Sequence, residues 1–134
     1  MEKVTLQLKG DGSFGLKGGR SLDQLNPKEL LLAAWGMCAG RTAMGILGRM
    51  KVNIKELQME CSGVISTEEL QPESVFTHFD ISYNVECARI EDQPKVSRAL
   101  TLTQNRYCGM AAMLRKIASM THGVYIHSTE SEFA

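Results

Sequence analysis

Asn26-Pro27-Lys28-Glu29-Leu30-Leu31-Leu32-Ala33-Ala34-Trp35-Gly36-Met37-Cys38 is the stretch on which the fold turns. Asn26 is a good helix N-cap, and Pro27 falls at the first helical position, where its missing N–H is not needed. Glu29 stands three residues after Asn26 and can reach back to its backbone N–H, the reciprocal half of a capping box. Leu25 and Leu30 can pack across that start as a hydrophobic staple. The helix then runs toward Met50. Its first half is apolar on nearly every side, which predicts burial all round. Gly36, Gly40, Gly45 and Gly48 each weaken the helix by about 1 kcal/mol relative to alanine. Four in one helix predict the close approach of a second backbone.

Before this helix, Val4, Leu6 and Leu8 alternate with polar residues, as in a strand. Gly10-Asp11-Gly12 then reads as a hairpin turn, with Phe14 and Leu16 on the return strand. Gly10 to Gly15 also matches G-x-G-x-x-G, but a dinucleotide site needs a helix directly afterwards, and Gly18-Gly19-Arg20 follows instead. After the helix, Leu57, Met59, Cys61, Gly63 and Ile65 share one phase of a strand. Glu68 to Glu73, with Pro72, is a polar turn. Phe79, Ile81, Tyr83, Val85 and Cys87 alternate with polar residues in a half-buried antiparallel strand. Asp92-Gln93-Pro94 opens a short helix with Val96 and Leu100. Another begins near Cys108, with Met110, Met113, Leu114 and Ile117 on one face and Gly123 as its stop. Val124 and Ile126 belong to a last strand, and the tail after Thr129 reads as loose.

The 134 residues suit one domain, 1–134, large enough for a core without staples. Lys+Arg and Asp+Glu number 15 each, so the chain shows no basic excess of the kind nucleic-acid binding needs. The opening residues lack the regions of a signal peptide. The apolar run from Leu30 to Gly40 is interrupted by Arg41 and falls short of the roughly 20 residues of a membrane span. A soluble, cytoplasmic protein with no membrane or nucleic-acid partner is expected. A helix apolar on all sides needs more cover than one small sheet provides, which predicts a homodimer.

Chemistry falls to the thiols Cys38, Cys61, Cys87 and Cys108. No C-x-x-C pair exists, which excludes zinc fingers and thioredoxin motifs. Cys61 and Cys87 lie in the buried phases of strands and read as small core hydrophobes. Cys38 lies mid-helix and becomes reactive only where a cation reaches it; Arg41 and Arg20 are the candidates. Cys108 lies at a helix N-terminus, where free N–H groups favour a thiolate. His78 reads as solvated, His122 as lying at a helix end and His127 as lying in the last strand; a Cys–His dyad for acyl transfer has no motif behind it. Met110, Met113 and Met120 read as core filler rather than a metal site. No cofactor and no metal are called for.

The segments Asn26-Pro27-Lys28-Glu29-Leu30…Ala33-Ala34-Trp35-Gly36-Met37-Cys38 and Arg106-Tyr107-Cys108-Gly109-Met110-Ala111-Ala112-Met113-Leu114 resemble the two cysteine segments of OsmC/Ohr proteins. The likeness spans about Arg20 to Ile126. It implies an α+β fold, with a long buried central helix packed on antiparallel sheets in an intertwined homodimer. It also implies a stress-response oxidoreductase, a thiol-dependent peroxidase that reduces organic hydroperoxides. Cys38 would be the peroxidatic and Cys108 the resolving cysteine, Arg20 would hold the reactive thiolate, and a dithiol reductant would close the cycle. Two positions depart from the better-known members. Lys28 stands where they carry a glutamate that orders the arginine, and Gly109 stands where they carry proline. Lysine cannot accept a hydrogen bond from Arg20 and repels it. Either another acid holds Arg20, or the site serves another substrate, or it is not catalytic. The alternatives are a non-catalytic or redox-responsive dimer binding a small apolar ligand beside Cys38, and a thioesterase-like enzyme.

Overall fold

The computed structural model describes residues 1–69 and 73–129. The expected turn at Pro72 and the tail beyond Thr129 lie outside the described residues. Strand β1 (Glu2–Leu8) turns back into β2 (Phe14–Leu16). The Asp11 carboxylate accepts hydrogen bonds from the Ser13 N–H at 3.0 Å and the Ser13 hydroxyl at 2.6 Å. Gly12 has a φ of +86°, so the G-x-G-x-x-G match is a hairpin and opens no helix.

Helix α1 (Pro27–Arg49) starts where its capping residues place it. Asn26 Oδ1 accepts from the Glu29 N–H at 2.8 Å, and Glu29 Oε1 accepts from the Asn26 N–H at 3.0 Å. Leu25 is buried but Leu30 is 40% exposed, so the two leucines are not shielded together as a staple. The helix is not buried all round. Leu32, Trp35, Gly36, Ala39, Gly40, Ala43 and Leu47 form its buried face, at the three-to-four-residue spacing of one helix side. Leu30, Ala34, Arg41, Gly45 and Gly48 are exposed. The glycines divide the same way. A Cβ at Gly36 would stand 2.3 Å from Leu6 Cδ1, and one at Gly40 would stand 2.6 Å from Phe14 Cζ. Gly45 and Gly48 meet nothing within 4 Å. Gly36 and Gly40 therefore admit side chains of the sheet. At 23 residues α1 has the length and composition of a membrane span, longer than its apolar run suggests, but its inner face packs on the chain's own sheet.

Strands β3 (Ile54–Ile65) and β4 (Phe76–Cys87) carry their apolar phases inward as the alternation predicts. Val4, Leu6, Leu57, Met59, Cys61, Phe79, Ile81, Tyr83 and Val85 line one buried face under α1. Helix α2 (Gln93–Leu102), a π-helical turn (Thr103–Tyr107) and helix α3 (Gly109–Arg115) follow, and β5 (Ser119–Ser128) closes the sheet. The strand order is β2-β1-β3-β4-β5. The first four strands pair antiparallel, but β4 and β5 run parallel, with Ile81 beside His122 and Tyr83 beside Val124. The chain thus forms one mixed sheet rather than antiparallel sheets. The helical crossover between β4 and β5 returns the chain to the same end and makes them parallel.

The C-terminal third differs from its sequence reading. Helix α3 ends at Arg115, and Gly123 lies inside β5 against the Tyr125 ring, where a Cβ would stand 3.2 Å away. His122 therefore lies on a strand. The buried positions around α3 are Cys108, Ala111 and Leu114, while Met113 and Ile117 are 56% and 61% exposed.

Candidate functional site

Cys38 and Cys108 come from elements far apart in the chain and meet where α3 packs on α1. Cys38 sits on α1, half-buried between its inner and outer faces. Cys108 is the N-cap of α3 and is 1% exposed. Its Sγ accepts from the Ala111 N–H at 3.4 Å, and its own N–H donates to Thr103 O at 2.9 Å across the π-helical turn. All four cysteines are free thiols.

The expectation that the helix N-terminus makes Cys108 a thiolate does not hold. Its pKa is pushed up from 9.0 to about 11, first by burial. The Ala111 N–H pulls the other way, and the neighbouring Cys38 raises the value further. Helix α3 has only 7 residues, and its N-terminal donors do not offset the loss of water around the sulfur. Cys108 therefore stands protonated at neutral pH, beside Cys38. Iodoacetamide at pH 7 should modify Cys38 well before Cys108. Cys108 should gain about tenfold in rate per pH unit as the solution approaches pH 11. Peptide mass spectrometry over time reads both; equal rates at pH 7 would contradict the burial and protonation of Cys108.

Arg20 does not join the thiols. Its Nη2 donates to Glu29 Oε2 at 3.1 Å. Glu29 precedes Cys38 by nine residues, so the two stand roughly 13 Å apart along α1 and on opposite sides of it. The acid that holds Arg20 is thus Glu29, and the same carboxylate caps the helix. Hydrogen bonding to the Asn26 N–H, and then to Arg20, keeps the Glu29 carboxyl below its ordinary 4.5. A lowered pKa stabilises the fold above pH 4.5, and that contribution disappears as the pH falls through the folded value. Glu29→Gln retains an oxygen for Asn26 but loses the ion pair. Because Arg20 is 41% exposed, the expected cost at pH 7 is under about 1 kcal/mol. The variant should also lose part of the acid-side slope of stability, measured by urea unfolding at pH 3 to 7.

Three further features were not legible as parts of a site. Cys61 Sγ would lie 3.0 Å from a Cβ at Gly36, directly against α1. Tyr83 is fully buried, and its hydroxyl donates to Gln104 Oε1 at 3.4 Å. Gln104 sits on the π-helical turn leading into Cys108. Burial raises the Tyr83 phenol well above its usual range, and Cys61, Cys108 and Cys38 add to that effect. The histidines stand elsewhere. His78 Nδ1 and Nε2 bond to Ser119 Oγ at 2.7 Å and Thr121 Oγ1 at 3.0 Å between β4 and β5. His122 and His127 lie on β5, and no histidine acts on Cys108. A cavity of about 230 Å³ lies under the β1–β2 hairpin, lined by Leu6, Phe14, Leu16, Leu22 and Met37, with Lys9 and Arg20. Cys38 is not part of its lining, so this cavity is beside Met37 rather than at the thiols.

Known proteins share this fold. A family model described as OsmC-like protein matches residues 18–122. Protein YhfA of Escherichia coli strain K12 is 28% identical over 121 residues, 87% of each chain. A hypothetical protein from Aquifex aeolicus VF5 superposes with a TM-score of 0.68 at 23% identity, over 97% of this chain and 100% of that one. An organic hydroperoxide resistance protein from Elizabethkingia anophelis superposes with a TM-score of 0.58 at 13% identity, over 95% and 97% of the two chains. At those identities the two structures bear on the fold alone. With both cysteine segments inside or overlapping the core of one sheet-and-helix unit and the family model spanning most of the sequence, the chain belongs to the OsmC-like protein family.

Proposed function

We propose that this protein is a thiol-dependent hydroperoxide reductase in which Cys38 is oxidised and Cys108 resolves it. The observation that carries the reading is the contact between the half-buried Cys38 and the buried, protonated Cys108. In this chemistry the Cys38 thiolate attacks the terminal oxygen of an organic hydroperoxide. The O–O bond breaks, the alkoxide leaves as the alcohol after taking a proton, and Cys38 becomes a sulfenic acid. The Cys108 sulfur then attacks the Cys38 sulfur, water leaves, and a disulfide forms. A dithiol returns both residues to thiols by exchange. The cytoplasm, where thiols stay reduced, is the compartment that suits such a cycle.

Arg20 fits this scheme only with a second copy of the chain. In the single chain it stays at the start of α1, away from Cys38. Two α1 helices crossing antiparallel would bring the start of one toward the middle of the other, and Arg20 toward the partner's Cys38. Exposed Leu30, Ala34, Gly45 and Gly48 on α1 supply a face for such a crossing, with small residues where the helices approach.

Mass spectrometry after one equivalent of cumene hydroperoxide, with no reductant, tests the reading. A rapid Cys38–Cys108 disulfide is expected. Four unmodified thiols after minutes of exposure would overturn it. The 230 Å³ cavity beside Met37, where Leu6, Phe14, Leu16 and Leu22 meet Lys9, Arg20 and Ser21, then favours a second reading, a non-catalytic module binding a small apolar ligand with an anionic group.

A further inference from the structure

Cys108 is held by the turn before it. The Cys108 N–H itself closes the π-helical turn (Thr103–Tyr107), reaching back to Thr103 O at 2.9 Å. Turns of this type are rare and frequently stand at functional sites. Among the described residues only Asp92, Thr103 and Gln104 are polar and buried, and the last two belong to this turn. The Thr103 hydroxyl donates to Ala99 O at 2.8 Å and fixes the turn to the end of α2. Gln104 fixes it in other directions. Its Oε1 accepts from the Tyr83 hydroxyl on β4 at 3.4 Å, and its Nε2 donates to the Met120 sulfur on β5. Its backbone carbonyl accepts from Arg115 Nη1 at the end of α3. One residue thus ties the turn to two neighbouring strands and to the helix that Cys108 caps. A buried amide needs a partner for each polar end, so these contacts leave the side chain little freedom. Burial keeps the Tyr83 phenol protonated, which preserves it as a donor.

We propose that Gln104 is a positioning residue for the resolving step, holding Cys108 where its sulfur attacks the Cys38 sulfenic acid. The inference rests on the peroxidase reading and deepens it. In that step the Cys108 sulfur attacks Cys38 Sγ. The S–S bond forms, the S–O bond breaks, and the hydroxide leaves as water with the Cys108 proton. Gln104 takes no chemical part. Its contribution is geometric. Cys108 is 1% exposed, and its Sγ is already bonded to the Ala111 N–H, so the sulfur follows wherever the turn carries it. A displacement of about 1 Å can slow a reaction roughly 100-fold. Cys38 is placed by α1, to which none of the Gln104 hydrogen bonds goes. The first oxidation is therefore untouched, and the division of labour between the two thiols is what Gln104 controls.

Dithiodipyridine tests the placement without any hydroperoxide. Cys38 takes up a pyridylthio group and releases one thiopyridone. Cys108 then attacks Cys38 Sγ, displaces that group and releases the second. Cys61 and Cys87 are fully buried and stay out of both phases. Stopped-flow absorbance separates the two. Gln104→Met keeps the side-chain volume and removes its hydrogen bonds. It should slow the second phase at least about tenfold and leave the first within about threefold. Tyr83→Phe is gentler, removing only the donor to Oε1, and should slow the second phase about threefold; it keeps the test open should Gln104→Met fail to fold. After cumene hydroperoxide, the dimedone-reactive Cys38 should persist longer in each variant by the same factor. A second phase as fast in the folded variants as in the unaltered protein, an equal slowing of both phases, or no second phase in the unaltered protein would overturn the proposal. A selectively slowed second phase, with no reaction toward hydroperoxide in any of the proteins, would support the positioning role and sink the peroxidase reading instead.

Discussion

Cys38→Ser is expected to abolish the hydroperoxide-driven disulfide, with the rate of cumene hydroperoxide consumption falling by at least roughly 1,000-fold, about 4 kcal/mol at the transition state. A serine hydroxyl at this position cannot be oxidised to a sulfenic acid, and the remaining thiols cannot substitute. Cys61 and Cys87 are fully buried and Cys108 keeps its proton. Cys108→Ser should behave differently. The first oxidation proceeds at a similar rate, but the sulfenic acid on Cys38 persists and reacts with dimedone. Stopped-flow measurement of peroxide loss, followed by mass spectrometry of the product, separates the two steps. Equal loss of the first step in both variants would mean that the thiols do not divide the work between attack and resolution.

Trp35→Ala should be the most damaging core substitution, with an expected loss of about 3–5 kcal/mol. That is a large part of the roughly 5–15 kcal/mol that holds a domain together. Trp35 is fully buried on the inner face of α1, and its ring meets Phe79 edge-on at 5.8 Å. Phe79 in turn packs on Phe76 at 4.9 Å. The indole Nε1 has no hydrogen-bond partner among the described residues, so removing the N–H sacrifices no bond. Trp35→Phe keeps the aromatic contact and should cost under about 2 kcal/mol. Urea unfolding of both variants reads the difference. Similar losses in the two would show that the indole N–H is satisfied after all.

Much of this structure is written locally. The start of α1 follows from Asn26, Pro27 and Glu29 alone, and the inward phases of β3 and β4 follow from alternation. What depends on direction in space was hidden. Alternation says which residues of β5 face inward but not whether the strand runs with or against β4; the two helices between them decide that. Gly123 reads as a helix stop because glycine serves both as a cap and as a gap under an aromatic ring, and only the position of Tyr125 distinguishes them. The two cysteines of the site were legible as a pair through the family motifs, while their contact required the packing of α3 on α1.

The carboxylate of Glu29 starts α1 through Asn26 and anchors Arg20 through its other oxygen. Alanine at this position would free the arginine and loosen the beginning of the helix at once, whereas glutamine gives up only the ion pair. The neighbouring Lys28 carries neither duty. Arg20 is thus held at the start of α1 with a lysine, not an acid, at position 28.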